Sequence, residues 1–435
     1  MSLALVVNGG SPLGAVAVKA LEGAGRAVQA VDAVNEADWA TVLATYNDVD
    51  TLVVAPSGDG PADDPQPAIT AAWLGAKHAL PLFRPAGSGT LLTLGFMAPD
   101  NGSCPGQDAA CESIRLLTAA ALHDARVSGI VLRSNRLFSG PGVDDASLRE
   151  TILFLTDPRS RFMSGAELVL PAAPHVRAAS PGLEGKTILI TGATSGIGRA
   201  AAIAIGRNGG WVAVGGRKLG LAEETLALVR AAGGDGCVLP LDVTDAEAWA
   251  AAARQLGEAR GELHGLVNNA GEAKNRPIEE LSETDLAFLS GINIRGVRLG
   301  MDAMEPLLSQ GSGAVLNIAS VAGVRAGPGG SAYSATKAAM IGLSRGYAAS
   351  YAARGTSIRV NSVQPGLIWS DSVADSLGEE GARQFRAMIE PKTPLGRVGV
   401  PEEVADAIAF LLSDAAAPLS GQAINVSGGL ELGWP

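Results

Sequence analysis

Short apolar runs that end in turn residues alternate with segments of helical period along the whole chain, and this alternation constrains the fold more than any other feature. Strands that are apolar along their length are buried on both faces, and a helix between successive strands supplies the cover. The class expected is therefore α/β, with doubly wound parallel sheets. In the second half the runs are TILITG, WVAVGG, GCVLPLDV, HGLVNNAG, GAVLNIAS, SIRVNSVQPG and AINVSGG. The first half offers LALVVNGG, AVQAVDA, DTLVVAPSG, GTLLTLG, GIVLRSN and AELVLPA. Between them lies AAPHVRAASPGLEGK, a Pro/Ala/Gly-rich stretch that reads as a linker. We expect a first domain over residues 1–175, a linker over 176–182 and a second domain over 183–435.

A length of 435 residues suits two domains, and 47% hydrophobic with 18% charged residues describes packed cores. The formal charge of −11 and the lack of any basic run exclude a nucleic-acid surface. Cys104, Cys111 and Cys237 make neither a disulfide framework nor a metal-ligand spacing, so no metal is expected. His78, His123, His175 and His264 fall in no catalytic motif. The opening MSLALVVNGGSPLG lacks a signal peptide's basic start, and no apolar stretch would span a bilayer, so a cytoplasmic protein without membrane partners is expected.

The two halves repeat one another in order. NGGSPLGAVAVKAL matches TGATSGIGRAAAIAI, DVDTLVVAPSG matches ELHGLVNNAG, and GSGTLLTLG matches GSGAVLNIA. LRETILFLTDPRSRFMSGAELVLPA matches VADAIAFLLSDAAAPLSGQAINVSG. AVDAVNEADWATV corresponds to PLDVTDAEAWAAA, so one strand–helix unit is missing upstream in the first half.

TILITGATSGIGRAAAIAI reads as strand, glycine turn and helix in immediate succession. Gly192 permits the turn, Gly196 lets backbone approach a pyrophosphate, and Gly198 lets helix and strand pack closely. The phosphate would then face a helix N-terminus. In SAYSATKAAM, Tyr333 and Lys337 lie four apart and share a helix face. A phenol beside an ammonium is a candidate proton donor or acceptor, although a lone pair of this spacing is more often a partly buried Tyr beside a solvated Lys.

TGATSGIG, NNAG, a Ser thirteen residues before the Tyr of YSATK, and PG after the sixth strand stand in the order found in the short-chain dehydrogenases/reductases, which residues 183–435 resemble throughout. The closing TPLGRVGVPEEVADAIAFLLSD is similar to the branch containing 3-oxoacyl-carrier-protein reductases. The tandem resembles the high-molecular-weight form of those reductases, which carries an inactive nucleotide-fold domain in front. The resemblance implies two Rossmann-like domains, the first degenerate, and a homodimer forming a four-domain assembly.

It also implies roles. Gly192, Ser195, Gly196, Ile197 and Gly198 match the phosphate loop; Asp242 and Val243 flank adenine; Asn269, Ala270 and Gly271 touch the ribose; and Pro365 and Gly366 belong to the cofactor site. Asn293, Ser320, Tyr333 and Lys337 match the catalytic tetrad, with Tyr333 and Lys337 also contacting cofactor. Lys337 and an oxidised nicotinamide are expected to lower the Tyr333 pKa, and Asn293 to kink its helix. In the first half Phe96, Ala109 and Ser113 stand against Ser320, Tyr333 and Lys337, and NGGSPLG reads as lacking the full glycine spacing.

The second strand ends in Gly215 and Gly216 followed by Arg217 and Lys218, where an acid would select NAD(H). These cations favour NADP(H), with NAD(H) still open if Arg217 only stacks on adenine or faces solvent. Within the segment after the sixth strand, Trp369, Phe385 and Met388 are candidates for an apolar substrate pocket or for packing inward. Arg383 and Arg386 are candidates for a substrate phosphate or a solvated helix face. The function expected is reduction of a 3-oxoacyl thioester. A dehydrogenase of a small secondary alcohol is the alternative, and a nucleotide-sensing or assembly module the alternative of another class.

Overall fold

The structure, a computed structural model, describes residues 3–56, 66–96, 105–140, 142–170, 182–327, 329–370, 378, 380–381, 383–384 and 386–432. Cys104, His175, Phe385 and most of the linker stretch lie outside the described residues. The chain divides into two compact units. One comprises Met1–Ala179, Ala387–Arg397 and Ser427–Pro435; the other comprises Ser180–Arg386 and Val398–Val426. No helix among the described residues is long and apolar enough to cross a membrane.

The first unit holds six strands, β1 (Leu3–Val7), β2 (Ala27–Val31), β3 (Val49–Val54), β4 (Ser88–Phe96), β5 (Val131–Ser139) and β6 (Glu167–Leu170). They form one parallel sheet in the order β2-β1-β3-β4-β5-β6. The second unit holds β7 (Thr187–Thr191), β8 (Trp211–Gly216), β9 (Asp235–Pro240), β10 (Gly265–Asn268), β11 (Ala314–Ile318), β12 (Arg359–Pro365) and β13 (Ala423–Val426). Their parallel order is β13-β12-β11-β10-β7-β8-β9, so the strand order reverses between β7 and β10. These are the thirteen runs expected, and the α/β class with two parallel Rossmann-like sheets holds.

In the second unit α6 (Gly196–Arg207), α7 (Leu219–Ala231) and α12 (Pro401–Leu412) pack together, with α6 touching both others. A separate core joins α8 (Ala246–Arg260), α10 (Val297–Gln310) and α11 (Ser331–Ala353) to the sheet, through Trp249, Met301, Met304, Met340 and Tyr351 against Leu189, Leu266 and Val315. Strands buried on both sides need both layers.

The units repeat one another internally in detail. In the first, Asn135 donates from Nδ2 to the Met163 carbonyl (2.8 Å) and accepts at Oδ1 from the Ala166 N–H (3.1 Å). In the second, Asn361 bonds the Leu419 carbonyl (2.7 Å) and the Gln422 N–H (2.9 Å) in the same way. Arg133 donates to the Asp157 carbonyl (2.7 Å), and Arg359 to the Leu411 carbonyl (3.0 Å), each beside the end of a helix. Burial pushes both guanidinium groups down to about 10. Each arginine is retained because it satisfies carbonyls left open where a helix stops.

The difference between the sheets lies at one edge. Asn35 caps α2 (Glu36–Thr45) and Asp245 caps α8, and Trp39 and Trp249 are both 0% exposed, as the matched sequences require. Yet β2 pairs directly with β1, as β8 does with β7. The first sheet thus has one strand fewer on this side, and its edge strand β2 lies directly against the strand that carries the turn.

The buried Asn135 supports a prediction. Asn135→Ala strands the Met163 carbonyl and the Ala166 N–H, each worth about 1–3 kcal/mol when left unpaired. Denaturant unfolding should show the first unit destabilised by about 2–4 kcal/mol; an unchanged midpoint would show that the network contributes nothing.

Candidate functional site

At the strand-order reversal, β7 runs into a turn and then α6. Gly192 sits at φ +63°, and a Cβ there would come within 2.8 Å of the Ala270 Cα. A Cβ on Gly198 would lie 2.4 Å from the Gly192 carbonyl oxygen, so only glycine lets α6 approach the strand this closely. Ser195 is the N-cap of α6 but makes no side-chain cap bond. The first N–H groups of α6 are therefore not satisfied by Ser195. Asn269 pins the turn, donating to the carbonyls of Thr191 (3.0 Å) and Gly192 (3.1 Å).

A cavity of 570 Å³ opens over this turn. Gly192, Ser195, Gly196 and Ile197 line it, with Arg217, Asp242, Val243, Asn269, Ala270, Gly271 and Tyr333 on its other walls. Its volume, glycine floor and open helix terminus fit a dinucleotide. Hydrogen bonds from the Thr244 backbone and hydroxyl hold the Asp242 carboxyl below its ordinary pKa. Arg217 is 66% exposed in its side chain and lies 3.8 Å from Asp242. A Cβ on Gly215 would meet the Ile190 carbonyl oxygen at 2.8 Å, and one on Gly216 the Thr194 methyl at 2.9 Å, so the end of β8 has no room for a carboxylate side chain without rearrangement.

A second cavity of 260 Å³ shares Ile197, Asn269, Gly271, Tyr333 and Ile368 with the first and adds Ser320, Lys337, Pro365 and Gly366. Tyr333 and Lys337 leave the same face of α11, and the Lys337 Nζ lies 5.7 Å from the Tyr333 ring centroid. That ammonium donates to the Ile318 carbonyl (2.8 Å) and is 4% exposed. Ser320 ends β11's exit, and its hydroxyl shares a hydrogen bond with the Tyr333 phenol. Asn293 lines neither cavity. It lies in a π-helical turn, Gly291–Gly296, between α9 (Glu283–Ser290) and α10, so the expected irregularity is present. Its amide bonds the Glu272 backbone in both directions and donates to the Thr336 hydroxyl (3.0 Å), while a Cβ at Gly271 would meet both the Asn293 Oδ1 and the Lys337 Nζ at 3.2 Å.

Residues 192–431, more than half of the chain, match the family model described as enoyl-(acyl carrier protein) reductase. The chain belongs to the short-chain dehydrogenase/reductase family. It is 37% identical over 250 residues to 2-(S)-hydroxypropyl-CoM dehydrogenase 3 of Xanthobacter autotrophicus, covering 57% of this chain and 97% of that one. It is 36% identical over 255 residues to the 3-oxoacyl-(acyl-carrier-protein) reductase FabG of Thermotoga maritima, covering 58% and 99%. Among solved structures, levodione reductase matches at a TM-score of 0.54 and 30% identity, covering 58% of this chain and 100% of that one. Short-chain dehydrogenases/reductases act on alcohol and ketone groups with a nicotinamide cofactor, so this chain is an oxidoreductase.

Three supports escaped the motif analysis. The Thr191 hydroxyl accepts the N–H groups of Asn269 and Ala270 (3.0 Å each), the Thr336 hydroxyl orients Asn293, and the Ile318 carbonyl anchors Lys337. Thr191 and Thr336 stand inside the quoted motifs, but spacing alone assigns them nothing.

The electrostatics correct one expectation. Burial pushes the Tyr333 phenol above its ordinary pKa, the Ser320 hydrogen bond only partly offsetting it, and Lys337 does not lower it. Burial instead brings Lys337 down to about 8. Two groups withdrawn from water together both disfavour their charged forms.

Arg383 pairs with Glu380, and Arg386 stacks 4.3 Å over the Trp369 ring. Met388 is exposed and belongs to the first unit.

The first unit's turn has the same length but not the glycines: with Asn8 set against Gly192 and Gly14 against Gly198, Ser11 and Ser195 both cap helices of 12 residues, and only Gly14 keeps a motif glycine. What changed is chemistry. Asn8 (φ +55°) stands where Gly192 does, and its side chain donates to the Ala55 carbonyl (2.8 Å). Pro12 has no N–H to offer, and Ser11 already accepts the Gly14 N–H (3.3 Å). Helix α4 (Pro105–Val127) matches α11 in length, 23 residues, which sets Gln107 and Cys111 in register with Tyr333 and Lys337 rather than Ala109 and Ser113. Neither alignment supplies a phenol or an ammonium.

Holding the Lys337 ammonium in a dry site costs about 3 kcal/mol of stability. Its folded pKa is depressed, so the cost is full below pH 8 and fades as pH rises to the unfolded value of 10.5. Lys337→Met should therefore stabilise the second unit at pH 7 by about 1–2 kcal/mol, after allowing for the stranded Ile318 carbonyl. That gain should disappear near pH 10.5. Denaturant unfolding at both pH values checks this, and a variant less stable at pH 7 contradicts it.

Proposed function

We propose that the protein is an NADP(H)-preferring reductase of a 3-oxoacyl thioester carried on acyl-carrier protein or coenzyme A. The observation that carries this is the half-buried Tyr333 phenol, hydrogen-bonded to Ser320 at the junction of the two cavities. The nicotinamide would supply hydride to the carbonyl carbon. Tyr333 donates its proton to the carbonyl oxygen, and a raised pKa suits a group that must arrive protonated. Ser320 steadies that oxygen with a hydrogen bond that strengthens as charge develops. Lys337 keeps its charge against the forming phenolate, and Asn293 holds the Glu272 backbone and Thr336 beside it. Gly192, Ser195, Gly196, Ile197 and Gly198 hold the pyrophosphate. Asp242, Val243, Asn269, Ala270 and Gly271 take the adenosine and ribose, and Pro365 and Gly366 border the nicotinamide end.

NADP(H) is favoured because the end of β8 leaves no room for a carboxylate and presents Arg217 and Lys218 to the cavity. The first unit is, on this reading, a diverged copy of the second that performs no hydride chemistry. The shared Asn135 and Asn361 networks support common descent, and Asn8 with Pro12 removes its phosphate site. A small secondary alcohol is the second reading for substrate, favoured by the 37% identity to a hydroxypropyl-CoM dehydrogenase. Following NADPH and NADH oxidation against acyl thioesters and simple ketones separates the two.

Tyr333→Phe should lower turnover more than about a hundredfold while dinucleotide affinity stays within about threefold, because only the transferable proton is removed. Activity within tenfold of the parent protein sinks the assignment.

Arg217→Asp should reverse the cofactor preference toward NADH, measured as the ratio of kcat/KM values. An unmodified protein that already works better with NADH refutes the role given to these cations.

A further inference from the structure

Among the residues that line both cavities of the second unit, one carries a charge that neither hydride nor proton transfer uses. Glu272 follows the Asn269–Gly271 stretch and is exposed, and it borders the dinucleotide cavity and the smaller cavity of Ser320 and Tyr333 alike. Its backbone is fixed. Asn293 accepts the Glu272 N–H at Oδ1 (3.0 Å) and donates from Nδ2 to the Glu272 carbonyl (2.9 Å), and the Thr336 hydroxyl holds the same amide (3.0 Å). The carboxylate is therefore tethered by two methylenes to a pinned Cα, at the border where the two cavities join.

Among the described residues Glu272 makes no ion pair, and the cation two positions on, Lys274, is taken up by Asp285 and the Phe288 ring. Lys337 is the other charged residue lining the smaller cavity. It is 4% exposed and donates to the Ile318 carbonyl, so it lies behind the site. The remaining described lining of that cavity is uncharged, and a ligand entering it meets one exposed charge, which is negative. Burial and the Ser320 bond alone move the Tyr333 pKa, so the charge on Glu272 stands apart from the proton donor. Two like charges about 6 Å apart at a protein surface repel enough to change an affinity about threefold or more.

We propose that Glu272 is a specificity-determining residue that refuses carbonyl compounds with an anionic group next to the reacting carbonyl, so that a 3-oxo acid is taken as its uncharged ester or thioester and not as the free acid. Esterification removes the charge that the carboxylate would face and leaves the rest of the 3-oxoacyl group unchanged. A cation in the same place is favoured for the same reason. The inference rests on the function proposed above for the placing of the carbonyl beside Tyr333 and Ser320; the selection by charge does not depend on which carrier holds the acyl group.

The test uses the full chain and two matched pairs of ketones: acetoacetate with its methyl ester, and acetonyl-trimethylammonium with neopentyl methyl ketone. The kcat/KM for the methyl ester should exceed that for acetoacetate by about tenfold, and Glu272→Gln should narrow this ratio at least about threefold, mainly through KM for acetoacetate. Glu272→Lys should narrow it further, and in both variants the cationic ketone should lose ground to its uncharged twin. Raising salt from about 0.05 M to about 0.5 M should shrink the ratio in the parent protein and leave it unmoved in Glu272→Gln, because the effect is electrostatic. The pH profile of kcat for the methyl ester should keep its form in Glu272→Gln. A ratio that neither substitution changes overturns the proposal, as does one indifferent to salt. So does a change in NADPH affinity in Glu272→Gln larger than the change in the ratio, which would assign the carboxylate to the cofactor. If no ketone is reduced the functional reading fails, and the affinities of the four ketones for the NADP⁺-loaded protein, measured by calorimetry, decide the selection by charge through the same ratios.

Discussion

A parallel sheet delivers every strand's carboxyl end to the same edge, and the site of this protein depends on that constraint. The order reverses between β7 and β10, so the loops after these strands diverge and leave a crevice. Into it come the glycine turn after β7, the Asn269–Gly271 stretch after β10, Ser320 after β11 and Gly366 after β12. Each strand pairs in unshifted register with its neighbours across this region, so the loop origins are fixed before any ligand is considered. The close approach of α6 to the Gly192 carbonyl then aims a helix N-terminus at the same opening.

Dryness does the rest of the chemistry. Tyr333 is half-buried at the border of both cavities and Lys337 is fully buried behind it, so desolvation raises the phenol's pKa and leaves the ammonium unusually ready to give up its proton. The Ile318 carbonyl and the Thr336–Asn293–Glu272 hydrogen bonds hold the surrounding groups in place. Such a site is less stable than an apolar one of the same shape, a common cost of function.

The first unit shows which parts of this architecture serve folding and which serve chemistry. It keeps the arginine that satisfies carbonyls at a helix end, the asparagine that ties two strands' ends, and the buried tryptophan behind the edge. Compared with the second unit, it lacks an outer strand–helix unit, an open helix N-terminus and a phenol–ammonium pair. In the second unit an asparagine reaches from β10's exit to the glycine turn; in the first, Asn8 reaches from the turn to β3's exit. A hydrogen bond spans the gap in both, with its donor on opposite sides, and Asn8 sets a side chain where the second unit has only glycine.

Apolar runs and their spacing determined the thirteen strands and both sheets' parallel character, and local pattern marked the glycine turn and the Tyr333–Lys337 pair, while the other residues of the crevice were legible only through the family resemblance. Those features follow from burial and from local backbone freedom, which a linear chain carries at each position. Tertiary structure alone decided the rest. The Tyr333 pKa rises because desolvation outweighs the Ser320 hydrogen bond, and desolvation depends on what packs around the phenol. The place of β2 beside β1 follows from which strands remain to compete for that edge. The first unit's turn is degenerate as a string, with asparagine and proline where the second has glycines, and the structure shows what replaced them: an Asn8 hydrogen bond to the Ala55 carbonyl and a proline at the helix start. Likewise nothing in PKTPLGR marks Thr393 and Arg397 as partners of Arg126 and Phe162, because those contacts join residues more than 230 positions apart. Local chemistry is written residue by residue; what each residue faces is set only when distant segments meet.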